Sequence, residues 1–267
     1  MNISSPFILL PLIASPRISQ LRRPRAGYFC RLIKALSFLV IYIQLVTAVA
    51  GHAMSFNFTP PYLFLGGTVV RSDLHAWREA LRLYDRDIEI VVLHDSPGGD
   101  SFTSRVIARE IRGRGLTTVA YGRCASACSS IFLGGAQRQF ASPRRRINHI
   151  LVFHGSYDKI TGELNRERLP DFFVEMTGGM MSPEFVRRFI ELEHRGSGLH
   201  FAPKKGYVAA PSAQLCIASD GPSGRERNCE AITNSDALST GVVTTWTTRS
   251  IDQVPEPPKI RITTVSW

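Results

Sequence analysis

Gly122-Arg123-Cys124-Ala125-Ser126-Ala127-Cys128 joins two apolar runs, residues 116–121 before it and the continuation to Leu133 after it. The first run is short and β-branched and reads as a buried strand. The second reads as a helix that starts at Ser126. Serine at such a junction is ordinarily an N-cap that satisfies an orphan backbone donor. The same placement also suits a nucleophile, because a helix start stabilises negative charge developing on oxygen.

The surrounding pattern repeats. Upstream, residues 62–70 are strand-like, and Ser72 or Asp73 caps an amphipathic helix to about Tyr84 with Leu74, Trp77, Ala80 and Leu81 on one face. Residues 88–93 form a second buried strand, ending in His94-Asp95-Ser96-Pro97-Gly98-Gly99, and residues 101–112 a second helix. Strand, helix, strand, helix, strand, helix is the signature of a mainly parallel sheet with crossover helices. Downstream, Phe140 and residues 147–153 supply more strand, separated by the basic tip Pro143 to Arg146. Helices are expected over 163–176 and 183–193, the latter with Ser182 as cap and Pro183 in its first turn. Residues 194–227 read as an irregular insertion, 232–243 as a short helix and strand, and 244–267 as a tail.

Of the 267 residues, 44% are hydrophobic and 20% charged, enough for one sizeable core. Residues 1–50 hold six bases and no acid, then run apolar from Ala35 to Ala50 and end small-x-small at Ala48-Val49-Ala50. This is the pattern of an export signal; uncleaved, residues 35–50 would instead anchor the chain in a membrane. Residues 51–61 read as a linker. Removing the six bases takes the net charge from +10 to +4. The remaining charges alternate in sign, which argues against a nucleic-acid partner.

Cys30 lies in the export segment, leaving Cys124, Cys128, Cys216 and Cys229. An oxidising compartment would permit disulfides. Cys216 and Cys229 would close a short polar loop. Cys124 and Cys128 are four apart, roughly 6 Å on a helix, which permits a bridge or two buried thiols packed beneath a helix. The histidines are scattered and none pairs with cysteine at zinc spacing, so neither metal nor cofactor is expected.

In a parallel sheet reactive groups gather at the carboxyl ends of strands. Ser96 to Gly99 and Arg123 to Ser126 both sit there. Gly98 and Gly99 can take backbone angles that aim an N–H into a site, although Pro-Gly equally predicts a tight turn. His154 ends a strand at the same edge, while His149, of opposite parity, points to the other face. Ser101, Ser129 and Ser130 fall inside helices and are weaker candidates.

These parts, in this order, resemble the Clp protease/crotonase superfamily, and most nearly the proteolytic subunit of the Clp protease. The matching residues are Ser96-Pro97-Gly98-Gly99, then Gly122 to Ser126 with Gly135 closing the helix, then Phe153-His154. The likeness spans residues 62–243 apart from the insertion. It implies an α/β fold of repeated strand-helix units with a mainly parallel sheet and flanking helices. It further implies Ser126 as nucleophile, His154 as general base, and the N–H groups of Gly99 and Ala127 as oxyanion hole. A peptide or protein substrate would lie extended between the segment after Gly99 and the strand end at His154, with Gly98 and Gly155 as binding residues. Relatives form rings or stacked oligomers, so a homo-oligomer is implied. The departure is the third triad member: the family's aspartate aligns with Cys229. Glu230 beside it is the favoured acid, with Asp220 or no acid as alternatives.

The leading expectation is therefore an exported serine hydrolase, a peptidase by class. The alternative is a catalytically silent domain of the same fold that binds peptides or partner proteins. An acyl-CoA enzyme of the same fold fits poorly with export.

Overall fold

A computed structural model describes residues 53–251, apart from 145, 159–160, 162, 166–168, 193, 195, 205–210 and 219–226. The expected export segment, Asp220 and most of the expected tail lie outside the described residues.

One mixed sheet organises the chain. β1 (Ser55–Thr59) pairs antiparallel with β2 (Tyr62–Val69), which leads through α1 (Asp73–Tyr84) to β3 (Ile90–Gly99). α2 (Ser101–Gly113), β4 (Thr117–Ala125) and α3 (Ala127–Leu133) follow, so β2, β3 and β4 run parallel with a helix at each crossover. β4 then forks. Its first half, Thr117 to Ala120, pairs with β5 (Gln137–Phe140), and its last residues, Arg123 to Ala125, pair with β6 (Ile150–Phe153). Beyond β6 the sheet turns antiparallel through β9 (Gly198–Phe201), β10 (Ala213–Ala218) and β11 (Arg227–Ala231). A separate ribbon joins β7 (Ser156–Tyr157) and β8 (Leu164–Asn165), and α4 (Leu169–Met176) and α5 (Pro183–Ile190) complete the helical side.

The apolar stripes of the helices explain the main core. Trp77 and Leu81 of α1, Ile107 and Ile111 of α2, and Ile131 and Phe132 of α3 are buried against Leu63, Leu65, Val91 and Leu93 of the sheet. α4 and α5 bring Phe173 and Phe189 edge-on to Phe153, whose ring centroid is also 5.9 Å from that of Phe201. Offset edge-to-face rings add to simple area burial, and here they fix the strand end just ahead of His154. A smaller cluster, including Phe64, Val92, Val119 and Tyr121, occupies the opposite face. Ser182 caps α5 as expected, accepting from the Phe185 N–H at 3.2 Å with Pro183 in the first turn. Before α1 it is the Asp73 carboxylate, not Ser72, that accepts a backbone N–H, from Val70 at 2.7 Å.

Four expectations need correction. The expected linker contains β1, whose residues meet β2 in continuous register from Ser55↔Gly66 to Thr59↔Tyr62. The expected irregular insertion contributes β9 and β10 and part of β11 to the main sheet. Residues 232–243 form turns rather than a helix and strand, knitted by Asp236, whose backbone carbonyl accepts the Thr240 N–H. The first part of the tail is integral, since Arg249 bridges to Ala141 and Ile251 is buried.

Two arginines bind the end of α3 through backbone carbonyls, Arg112 tying it to the end of α4 and Arg138 tying it to these turns. Arg112 donates to the Leu133, Gly134 and Met176 carbonyls, and the buried Arg138 to those of Gly135, Gly241 and Val242. Burial lowers the Arg138 pKa to about 10, still protonated at neutral pH. Replacing Arg138 with Met leaves three acceptors without their donor and should lower stability by on the order of 3 kcal/mol in urea unfolding.

Candidate active site

Ser126 lies at φ 56°, ψ −121°, between the end of β4 and the start of α3. A residue with a Cβ resists this region, so surrounding contacts must impose it. Its N–H donates to the Val152 carbonyl at 2.8 Å, and its own carbonyl accepts the Ser130 N–H at 3.1 Å. The Ser126 side chain makes no cap hydrogen bond. The ordinary N-cap role is thus not the one its hydroxyl plays. The buried Ser129 hydroxyl lies 2.8 Å from the Cys124 carbonyl and 2.9 Å from that of Val152, so it braces the turn.

Ser-Pro-Gly-Gly is a continuation of β3, not a tight turn. The strand kinks at Asp95, φ 40°, and resumes with Ser96 opposite Cys124 and with Gly98 and Gly99 opposite Thr68 and Val69. The buried Ser96 hydroxyl donates to the Gly67 carbonyl at 2.6 Å and accepts the Gly98 N–H at 3.3 Å. Both glycines are required by space. A Cβ on Gly98, φ 98°, would stand 2.5 Å from the Ser126 Cβ and 2.9 Å from the Ala127 nitrogen, and one on Gly99, φ 145°, would overlap the Val69 carbonyl. The two expected oxyanion segments, Gly98-Gly99 and Ala127, therefore lie together beside Ser126. Because α3 has only seven residues, stabilisation of an oxyanion would come from individual N–H groups rather than from a long helix dipole.

His154 leaves the sheet just beyond β6. Ala125 lies opposite Val152, and Val152 and His154 share a face of the strand, so Ser126 and His154 depart from adjacent strands at one edge. His154 is partly buried, its Nδ1 is 2.6 Å from the Gly155 carbonyl, and its ring lies 5.7 Å from that of Tyr157. With Nδ1–H donating to that carbonyl, the Nε2 lone pair is left for proton transfer. Burial pulls the imidazole pKa below its ordinary value, helped by the Arg123 charge and opposed by the Gly155 contact.

His149 belongs to the other face, as its parity requires. Its Nδ1 accepts the Gly122 N–H at 2.9 Å and its Nε2 contacts the Ser142 carbonyl at 3.1 Å, which fixes Gly122 at φ 69°.

Two expected residues are not at this edge. Glu230 pairs with Leu215 on β11, three strands from β6, whereas the residues of β10 and β11 that share the His154 face are Cys216 and Cys229. Three strand spacings amount to roughly 14 Å, beyond the reach of a carboxylate to His154. Gly155 is buried, and a Cβ there would overlap the Ile190 carbonyl, so its α-carbon faces α5 rather than a substrate. Its carbonyl is the part that meets His154. Among the described residues no carboxylate bonds His154, and no three His, Cys, Asp or Glu side chains gather as metal ligands. Both candidate cysteine pairs are bridged, Cys216 to Cys229 and, of the two alternatives left open for the other pair, Cys124 to Cys128.

No family model matches this chain, and no curated protein matches it. Solved structures give weak likenesses. ClpP1 from Listeria monocytogenes is 15% identical with a TM-score of 0.41, covering 72% of this chain and 91% of that one. A membrane-bound stomatin-specific protease is 13% identical with a TM-score of 0.40, covering 67% and 75%. A methylmalonyl CoA decarboxylase is 13% identical with a TM-score of 0.29, covering 39% and 47%. Likenesses at this level carry no inference about activity, which rests on the geometry of the edge itself.

The contact at Gly98 predicts a contrast between two alanine substitutions. Gly98→Ala should destabilise by about 1–3 kcal/mol or more. Gly113→Ala, where a Cβ meets nothing within 4 Å, should be neutral or stabilising by roughly 0.5–1 kcal/mol in the same unfolding measurement.

Proposed function

We propose that this protein is a serine hydrolase acting on peptide bonds, with Ser126 as nucleophile and His154 as base. The observation that carries this reading is the Ser126 turn itself. Its positive φ, its hydroxyl without a capping bond, the Gly98 backbone pressed against it and a histidine leaving the adjacent strand at the same edge suit a nucleophile better than a helix cap.

In this reading the Ser126 hydroxyl attacks the substrate carbonyl while His154 Nε2 takes its proton. The Gly99 and Ala127 N–H groups receive the oxyanion of the tetrahedral intermediate. His154 then protonates the leaving amine and activates the water that cleaves the acyl-enzyme. The Gly155 carbonyl takes the orienting role that an aspartate has in a triad, holding one tautomer without adding a charge. An extended substrate would lie between Gly99 and the β6 end, bound through its backbone.

Both disulfides support an oxidising compartment and hence the export reading of residues 1–50. Among the described residues no carboxylate bonds His154, and this is what favours the second reading, a silent peptide-binding domain of the same fold.

A fluorophosphonate probe separates the two. It should label the wild-type protein and not Ser126→Ala; failure to label folded wild-type protein would leave the binding domain as the better reading. The base must be neutral to act, and His154 holds its proton more weakly than a free imidazole. Labelling against pH should therefore fall to half its plateau below pH 6.5, the ordinary histidine value, rather than above it.

A further inference from the structure

The turn that carries Ser126 is closed by its own covalent ring. Cys124, next to last in β4, and Cys128, second in α3, are bridged with Cα atoms 5.3 Å apart, and neither is exposed. Ser126 is the middle residue of the five. The other disulfide contrasts with this one. Cys216 and Cys229 face each other on adjacent strands whose register the β10–β11 ladder already sets. Cys124–Cys128 spans a place where strand changes to helix. The hydrogen bonds there run from the turn outward to β6 and onward into α3, and one, from the Ser129 hydroxyl to the Cys124 carbonyl, spans it. The disulfide adds a covalent tie between the end of β4 and the first turn of α3, across both peptide units of Ser126. A sparsely populated backbone conformation such as that of Ser126 persists only where its surroundings impose it. Relaxation there would move the hydroxyl relative to Gly98 and His154.

We propose that the Cys124–Cys128 disulfide is a positioning device for Ser126, so that hydrolysis belongs to the oxidised protein and is lost, with the fold retained, when this bond opens. The proposal rests on the serine-hydrolase reading above. Opening by an added dithiol is a balanced exchange. One reductant thiolate attacks a cysteine sulfur and the protein S–S bond breaks to a mixed disulfide. The reductant's second thiol then displaces the remaining cysteine, closing its own disulfide, and two electrons and two protons stay on Cys124 and Cys128 as thiols. With neither residue exposed, exchange follows local opening of the turn.

The test compares Cys124→Ala/Cys128→Ala with Cys216→Ala/Cys229→Ala, reading kcat and KM on a chromogenic ester, fluorophosphonate labelling and thermal unfolding. For the first variant, kcat should fall about 100-fold, the scale of a misplaced reacting group. KM and the pH of the acid limb should hold, because substrate-binding backbone and His154 are untouched. The second variant should keep the wild-type rate. Dithiothreitol should abolish its labelling while its near-UV circular dichroism persists, and reoxidation should restore it. That reduction experiment decides the matter alone if the first variant does not fold. Wild-type kcat in the first variant, or undiminished labelling of the reduced second variant, overturns the proposal and leaves the hydrolase reading standing. Failure of the oxidised wild-type protein to label overturns both.

Discussion

The candidate site depends on one steric fact: the backbone of β3 passes so close to the turn after β4 that only a residue without a side chain fits between them. Gly98 stands against Ser126, and Gly99 against Val69. That passage draws two backbone segments to a single serine. It in turn requires β3 to kink at Asp95 and β4 to turn at Gly122. The Asp95 carboxylate fills the space that a Gly122 side chain would take. The two strands thus leave regular pairing at the same level, and the serine is placed by the irregularity of its neighbours as much as by its own.

Across the fold, backbone carbonyls do what carboxylates do elsewhere. Arg138 sits among three of them, His149 contacts that of Ser142, and His154 that of Gly155. A carbonyl orients a donor without adding a full charge to a low-dielectric surrounding, so the desolvation cost of a second buried ion is not incurred. The consequence for His154 is an imidazole held in one tautomer yet less basic than in water, a different balance from a histidine backed by a carboxylate.

Much of this was legible in the chain. The alternation of β-branched runs with amphipathic stretches announced the parallel strands, because side-chain period and burial are local properties. The serine, the diglycine and His154 were legible as parts in order. Glu230 was misplaced because adjacency to an aligned position says nothing of strand parity: one residue along β11 turns a side chain to the other face. The insertion was misread for a related reason. Glycine, serine and proline mark turns, and here the turns separate short strands whose pairing partners are distant in sequence. Nor could Gly155 have been recognised for its carbonyl, since any residue offers one.

The fork in β4 has a mechanical meaning. Along one edge the strand that leads to Ser126 is sewn to β3 from Ile90 to His94 and again at Ser96, while on the other edge β6 meets it only from Arg123 to Ala125. Short ladders open more readily than long ones. The diglycine side of Ser126 is therefore the stiff jaw, and the histidine side, with β9 to β11 trailing behind it, is the one with give. In the hydrolase reading, a bulky substrate would be accommodated by yielding on that side, leaving Gly98, Gly99 and Ala127 in place.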